Sequence, residues 1–563
     1  MDKRTALDGH AAPSSIRNHT ASSMRLRLLV LATIFLLMVL LVWAVRASVF
    51  AQGTATVSGF VVTQDGAPVA GAVVRQQTTT NHTTSAVDGS FTLDGLTEGI
   101  TTTITAWQEG YLVGWAEVMP PKTGVTITLN PHYTTDNPDY PWFSSNDPEG
   151  PVSCVHCMVA HPQWRANAHG NSGTNPRFFS LYNGTDITGT TTITPGYKLD
   201  FPGTAGNCAT CHAPAAAVRG MRTHAAADMN ELQGVEPEGV FCEFCHKAGA
   251  VYLNPATGLP YPNAPGVLSM RLYRPTTGGA EQLFFGPFDD VTRRVSYSAL
   301  EKQSQFCAPC HQFSFWGTPI YESFREWLES PYPAQGIECQ TCHMKPTGVD
   351  YFVFPEKGGL IRDPQLIASH LQPGAADEEL LQNTVNMTVS ARQAVDRLQV
   401  TVTITNTEAG HHVPTDYPGR HMILTVTAMD EEGEDLAQLA GPTVPQWGGE
   451  QAGLPGTAFA KVLRDVETGE SPVVNYWKQA LIVSDNRIPA LGSDASAYIF
   501  AAPRTGGLVT VKTELRFRRV FQDVLDLKGW DTPDIMMEEE RIVLPVQPWE
   551  TIFLPIVQRS TGS

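Results

Sequence analysis

Ten cysteines occur in this 563-residue chain, and all ten fall into five pairs of one spacing: Cys154/Cys157, Cys208/Cys211, Cys242/Cys245, Cys307/Cys310 and Cys339/Cys342. None is left over. Four of the pairs read "CATCH", "CEFCH", "CAPCH" and "CQTCH", whereas the first reads "CVHCM", with Met158 where the others carry histidine.

In a C-x-x-C-H unit two thiols add across the vinyl groups of a haem, and the histidine that follows is placed to bind the iron. The spacing therefore predicts haem c on all five pairs, with His212, His246, His311 and His343 as proximal ligands and Met158 as their counterpart on the first. A zinc ribbon needs four soft ligands in a closed tetrahedron and gives no reason for a histidine after the second cysteine. A thioredoxin-type redox motif is normally single, and structural disulfides rarely settle on one short spacing five times.

Arg25 and Arg27 precede an uncharged apolar run from Leu28 to Val45, and the segment ends in "SVFAQG", with Val49 and Ala51 where a signal peptidase prefers small or apolar residues. Residues 1–51 read as a signal peptide or, because the run is long enough to span a bilayer, as an N-terminal membrane anchor. Export to the periplasm or cell surface follows in either case. Loss of that segment removes six Lys/Arg and two Asp/Glu, taking the net charge from −18 to −22. So acidic a chain is a poor partner for nucleic acid. Its expected partners are redox proteins or a membrane quinol-oxidising complex.

The length argues for several domains. Residues 52–131 hold no cysteine and read as short strands broken by Asp-Gly turns: "TVSGFVV", "DGAPVAGAVV", "DGSFTLDGL", "GYLVGWAEV" and "VTITL". A small β-sandwich is predicted. "GAPVAGAVV", "DGSFTLDGL" and "EGY" together resemble the carboxypeptidase regulatory-like (transthyretin-like) domain, which implies a spacer or adhesion module without catalysis. Residues 132–375 contain every cysteine, are rich in Gly, Pro and aromatic residues and show little helical periodicity. They are expected to form a haem-packed region of short helices and loops, with the macrocycles supplying apolar volume. From 376 to 545 the period-two pattern returns, as in Leu398, Val400, Val402 and Ile404, predicting a β-rich C-terminal domain followed by a tail at 546–563.

Haems that only carry electrons usually have two axial ligands, so the complete motifs require histidines from elsewhere. Of the 16 histidines, His10 and His19 precede the apolar run and His82 lies in the cysteine-free sandwich. The candidates for distal ligation are His161, His169, His224, His370, His411 and His412. His132, His156 and His421 remain, and His156 is tied down between two cysteines.

"CVHCMVAHPQWRANAHG", "EGVFCEFCHK", "SQFCAPCH", "FREWLESPYPAQGIECQTCHM" and "NTEAGHHVPTDYPGRHMILTV" together resemble the multihaem c-type cytochromes of the cytochrome c-552/554-like group, over roughly residues 150–430. That resemblance implies a distal-ligand role for His169 and a place near the haem core for His411, while His412 departs from the group's usual single histidine. The family implies electron transfer and also includes reductases. An electron-transfer cytochrome is the expected function, and the alternative is a pentahaem reductase of a small nitrogen or sulfur oxyanion acting at the first haem. A haem-bearing adhesive protein rests only on the N-terminal sandwich.

Overall fold

The computed structural model describes Met38 and residues 53–148, 153–223, 226–276 and 283–550. The expected export segment, apart from Met38, lies outside the described residues, as do His224 and residues 551–563 of the tail. Among the described residues no helix is long and apolar enough to cross a membrane. The chain divides into two compact units, one of Met1–Ile104 with Trp115–Thr128 and one of Thr105–Gly114 with Leu129–Ser563.

The first unit takes its form from two sheets. Strands β1 (Thr54–Thr63), β4 (Ser90–Thr97) and β7 (Lys122–Leu129) form one, in the order β4-β1-β7. Strands β2 (Val73–Gln76), β3 (His82–Thr84), β5 (Thr102–Trp107) and β6 (Gly114–Val118) form the other, in the order β3-β2-β5-β6. Alternation explains the layers: Val125, Ile127 and Leu129 are buried while the intervening threonines are exposed. Gly89 of the Asp-Gly turn before β4 sits at φ +79°, and a Cβ there would come within 2.5 Å of the Val61 carbonyl oxygen. Only glycine fits that turn.

The second unit contains all five cysteine pairs and a larger pair of sheets. One runs β14-β15-β20-β17, from Val385–Ala394, Arg397–Asn406, Ser493–Ala501 and Gln438–Ala440. The other runs β19-β18-β16-β21-β22, from Ala480–Asp485, Gly456–Asp465, His421–Met429, Gly507–Arg518 and Ile535–Val546. Leu398, Val400, Val402 and Ile404 of β15 share one core with Leu424 and Val426 of β16 and Val509, Val511 and Leu515 of β21. Each such side chain contributes about 1.5–3 kcal/mol on burial. Leu515→Ala leaves a cavity between the sheets and is expected to cost about 2–5 kcal/mol, read as a lowered midpoint in denaturant unfolding.

Residues 132–375 carry short helices, loops and two-stranded ladders. The ladders are β8 (Ala248–Val251) with β9 (Met270–Leu272), β10 (Phe284–Gly286) with β11 (Val295–Tyr297), and β12 (Phe313–Phe315) with β13 (Thr318–Tyr321). Among the described residues no helix here exceeds the 10 residues of Pro214–Thr223, too short for a bundle to be built from them. A side-chain core does exist, contrary to the expectation from composition: Trp164, Tyr182, Phe241 and Phe244 pack with Ala209, Ala213 and Ala216. Alternating bulky rings with alanines lets short turns approach closely, a pattern that periodicity does not register.

Candidate multihaem site

Each of the four complete motifs is wound into a single helical turn: Ala209–His212, Cys242–Cys245, Ala308–His311 and Cys339–His343. The amides of His212, His246 and His311 donate to the carbonyls of Cys208, Cys242 and Cys307 at 3.0, 3.0 and 3.1 Å. Such a turn places residues three and four apart on one face, so both sulfurs and the imidazole project the same way. The first motif departs from this. Its turn, Cys154–His156, is a 3₁₀ turn, Cys157 is extended at φ −75° and ψ 97°, and the Met158 amide donates to the Phe352 carbonyl at 2.9 Å.

The sulfurs form one connected set. Cys154 lies close enough to Cys242, Cys211 to Cys310, and Cys307 to Cys339 for each pair to perturb one another's thiols. Cys245 lies close enough to Cys307 and Cys310 to influence both electrostatically. The fourth motif is therefore the junction: the first reaches it through the third, and the second and fifth meet it directly.

The histidines come together in pairs. The rings of His169 and His311 have centroids 6.2 Å apart with planes at 68°, and those of His343 and His411 are 6.4 Å apart with planes at 15°. An imidazole nitrogen sits about 2.0 Å from a first-row metal and about 1.1 Å from its own ring centroid, so two rings on opposite sides of one metal lie about 6.2 Å apart. Both pairs have that separation. His246 lies close enough to His370 to act on it electrostatically. Among the described residues no three His, Cys, Asp or Glu side chains converge on one point. Pairs suit a porphyrin, which supplies four nitrogens itself, and they do not suit a tetrahedral ion.

The other ring nitrogen is held in most of these side chains. Nδ1 of His246 contacts the Phe285 carbonyl at 2.7 Å, that of His343 the Pro373 carbonyl at 2.8 Å, that of His411 the His412 carbonyl at 2.8 Å and that of His370 the Ala368 carbonyl at 3.2 Å. A donor bond at Nδ1 fixes the tautomer whose Nε2 is free to ligate. Burial pushes His169, His212, His343 and His370 down to about 4, so each is neutral at physiological pH, the form that binds metal. His311 differs. Burial lowers it, yet the Asp416 carboxylate 3.3 Å from its Nδ1 outweighs burial and raises it. Asp416 in turn is fixed by the amides of Glu322 and Ser323 at 3.1 and 3.0 Å. Burial would raise its carboxyl, and His311 with these donors holds it well below the usual range.

Other candidates are placed less favourably. His412 turns from its neighbour's partner toward Glu326, whose Oε1 lies 3.6 Å from its Nδ1. His161 is buried with its Nε2 free of hydrogen bonds, but among the described residues its ring faces Trp164 and no other imidazole. The side chains of His246 and His311, by contrast, keep 29 % and 44 % of their accessible surface. His212 carries Phe178 stacked on it at 4.2 Å, and its Nδ1 has no partner. Asp416 and Glu326 were missed by motif reading. The signal for Asp416 was its place five residues after His411 in "HHVPTDYPGR".

Residues 56–132 match the Carboxypeptidase regulatory-like domain. No curated protein matches the chain. Among solved structures, a penta-heme cytochrome c552 from Thermochromatium tepidum aligns over 69 % of this chain and 97 % of its own, with 18 % identity and a TM-score of 0.50. A type II cohesin–X-dockerin complex from Acetivibrio cellulolyticus aligns over 14 % of this chain and 58 % of its own, with 25 % identity and a TM-score of 0.12, too slight to carry an argument. The chain is thus similar in fold to a pentahaem cytochrome c552 over about two thirds of its length, with a match to the carboxypeptidase regulatory-like domain at residues 56–132.

Proposed function

We propose that this protein is an exported c-type cytochrome that binds five haems through its ten cysteines and carries electrons between extracytoplasmic redox partners, among them redox proteins or a membrane quinol-oxidising complex. The observation that carries the reading is the pairing of imidazoles at 6.2 and 6.4 Å, each pair joining a motif histidine to a histidine from outside the motifs. His311 with His169 and His343 with His411 would hold two irons on both sides, and His246 with His370 a third. His212 would be the motif-side ligand of a fourth, and Met158 would face the iron of the first. Bound haem supplies one-electron exchange; the chain supplies ligands, orientation and the exclusion of water. Filled axial positions leave no room for a substrate, which favours transfer over catalysis.

Intact mass of the matured protein tests the stoichiometry. Five haems per chain are expected, since Cys154 and Cys157 keep both attachment thiols. A mass showing four would confine attachment to the complete motifs and overturn the reading of the first.

Asp416 gives a sharper test of ligand assignment. Its carboxylate makes the His311 imidazole a stronger donor and so favours ferric iron. Asp416→Asn keeps an acceptor and removes the charge. One reduction potential should rise by on the order of 60 mV, a tenfold change for a one-electron couple, with the others barely moved. Potentiometric titration followed in the α-band reads this directly.

A second reading, reduction of a small nitrogen or sulfur oxyanion at the first haem, is favoured by the departure of Met158 from the helical turn that places the four histidines. Binding of cyanide or nitrite by the oxidised wild-type protein would support it.

A further inference from the structure

Three arginines meet around a small cavity in the second unit. It has a volume of about 170 Å³ and is lined by Arg177, Arg420 and Arg519, with Tyr417, Thr532 and Phe178 among the remaining wall residues. Among the described residues none of the three arginines has a carboxylate within ion-pair distance, although the adjacent Arg518 is paired with Asp534 at 2.7 Å. Arg177 donates from Nη2 to the Asp531 carbonyl at 2.9 Å, while its buried Nε has no partner. Arg420 donates to the Thr415 carbonyl at 3.1 Å. Arg519, half-buried, is pushed down to about 10 by desolvation and then by the charges of Arg177 and Arg420.

Two more donors stand in the same wall. Thr532 is only 8 % exposed and its Oγ1 has no hydrogen-bond partner; the Tyr417 Oη is likewise buried and unpartnered. Buried hydroxyls are nearly always satisfied, and leaving one without a partner is costly. Three like charges in one partly buried cavity add a repulsion that grows as the local dielectric falls. Both costs are removed by a single occupant: a compact group with negative charge and several acceptor oxygens.

We infer that this cavity is a binding site for an oxyanion, a carboxylate or a small inorganic anion, held by the guanidinium groups of Arg177, Arg420 and Arg519 and the hydroxyls of Tyr417 and Thr532. Guanidinium forks match the geometry of such anions. The volume admits a group of that size with a few waters and is far below the 300–1,000 Å³ typical of drug-sized ligands. No residue of the first cysteine motif lines it, so the site stands apart from Met158. Phe178 is shared between the cavity wall and the ring of His212. Arg420 also acts on Asp416, the partner of His311. Occupancy would therefore be felt at two of the proposed iron ligands.

The same chemistry has two sources, a freely exchanging anion and the propionate of a bound haem, and the second rests on the haem reading. Isothermal titration of the mature protein with nitrite, sulfite and sulfate at low ionic strength, beside potentiometry, separates them. A free anion gives saturable binding of one equivalent, weakened about tenfold or more in Arg519→Gln and largely restored in Arg519→Lys, as loss of a charge-assisted bond requires. A propionate gives no uptake, and Arg519→Gln instead lowers one reduction potential while Arg519→Lys does not. No uptake together with potentials unmoved by Arg519→Gln and Arg177→Gln would overturn the site. Haem per chain is counted separately by mass, so a chain that lacks haem fails the haem reading while the anion titration still decides this one.

Discussion

Replacing His411 with alanine is expected to convert one low-spin haem to high spin and to open it to cyanide and carbon monoxide. The ring of His411 lies 6.4 Å from that of His343, and among the described residues no other ring stacks with His343. His412 is adjacent in sequence, but its amide and ring are engaged by Glu326, itself bound to Arg487 at 2.7 Å. The His343/His411 planes are nearly parallel at 15° and the His169/His311 planes are steeply inclined at 68°. Parallel ligand planes split the iron d orbitals and give a rhombic low-spin resonance, whereas inclined planes leave them nearly degenerate and give a strongly anisotropic one. The variant should lose a rhombic signal and keep the anisotropic one. Retention of every low-spin signal would remove His411 from the ligand set.

Met158→His should lower one potential sharply and leave the other four nearly unchanged. A thioether is a softer and weaker ligand than imidazole and favours ferrous iron, so a first haem bound by Met158 is the electron sink of the set. Axial ligands span about 0.8 V across haem proteins, and a drop on the order of 0.1 V is expected for this exchange. The Met158 backbone does not follow the helical turn of the other motifs, since its amide is drawn to Phe352. Its long unbranched side chain can make up such a displacement. His161, the nearest competitor, has a buried Nε2 with no hydrogen-bond partner, and His161→Ala should leave the potentials in place if Met158 is the ligand. Unchanged potentials in Met158→His, with wild-type iron that binds nitrite or cyanide, would transfer the function to the reductase reading.

The sequence by itself determined where cofactor attachment is expected, because covalent capture needs two thiols at fixed spacing and an imidazole beside them. That information is local to five residues. It also determined the sheets on either side of the cysteine-bearing segment: alternation along β7 and β15 sorts each strand into a buried and an exposed face whatever its neighbours are. The tertiary structure decided which histidine faces which. His169 and His311 are 142 positions apart, and His343 and His411 are 68 apart, so no pattern in the chain links them. His412 is drawn toward Glu326, from the helix Ser323–Leu328, while the ring of His411 faces His343. Charge behaves likewise: nothing in the words around Arg177, Arg420 and Arg519 marks them, and their lack of acidic partners is a property of the space they enclose. Ligand pairing and anion binding depend on separations of a few ångströms between remote segments, and only folding sets those.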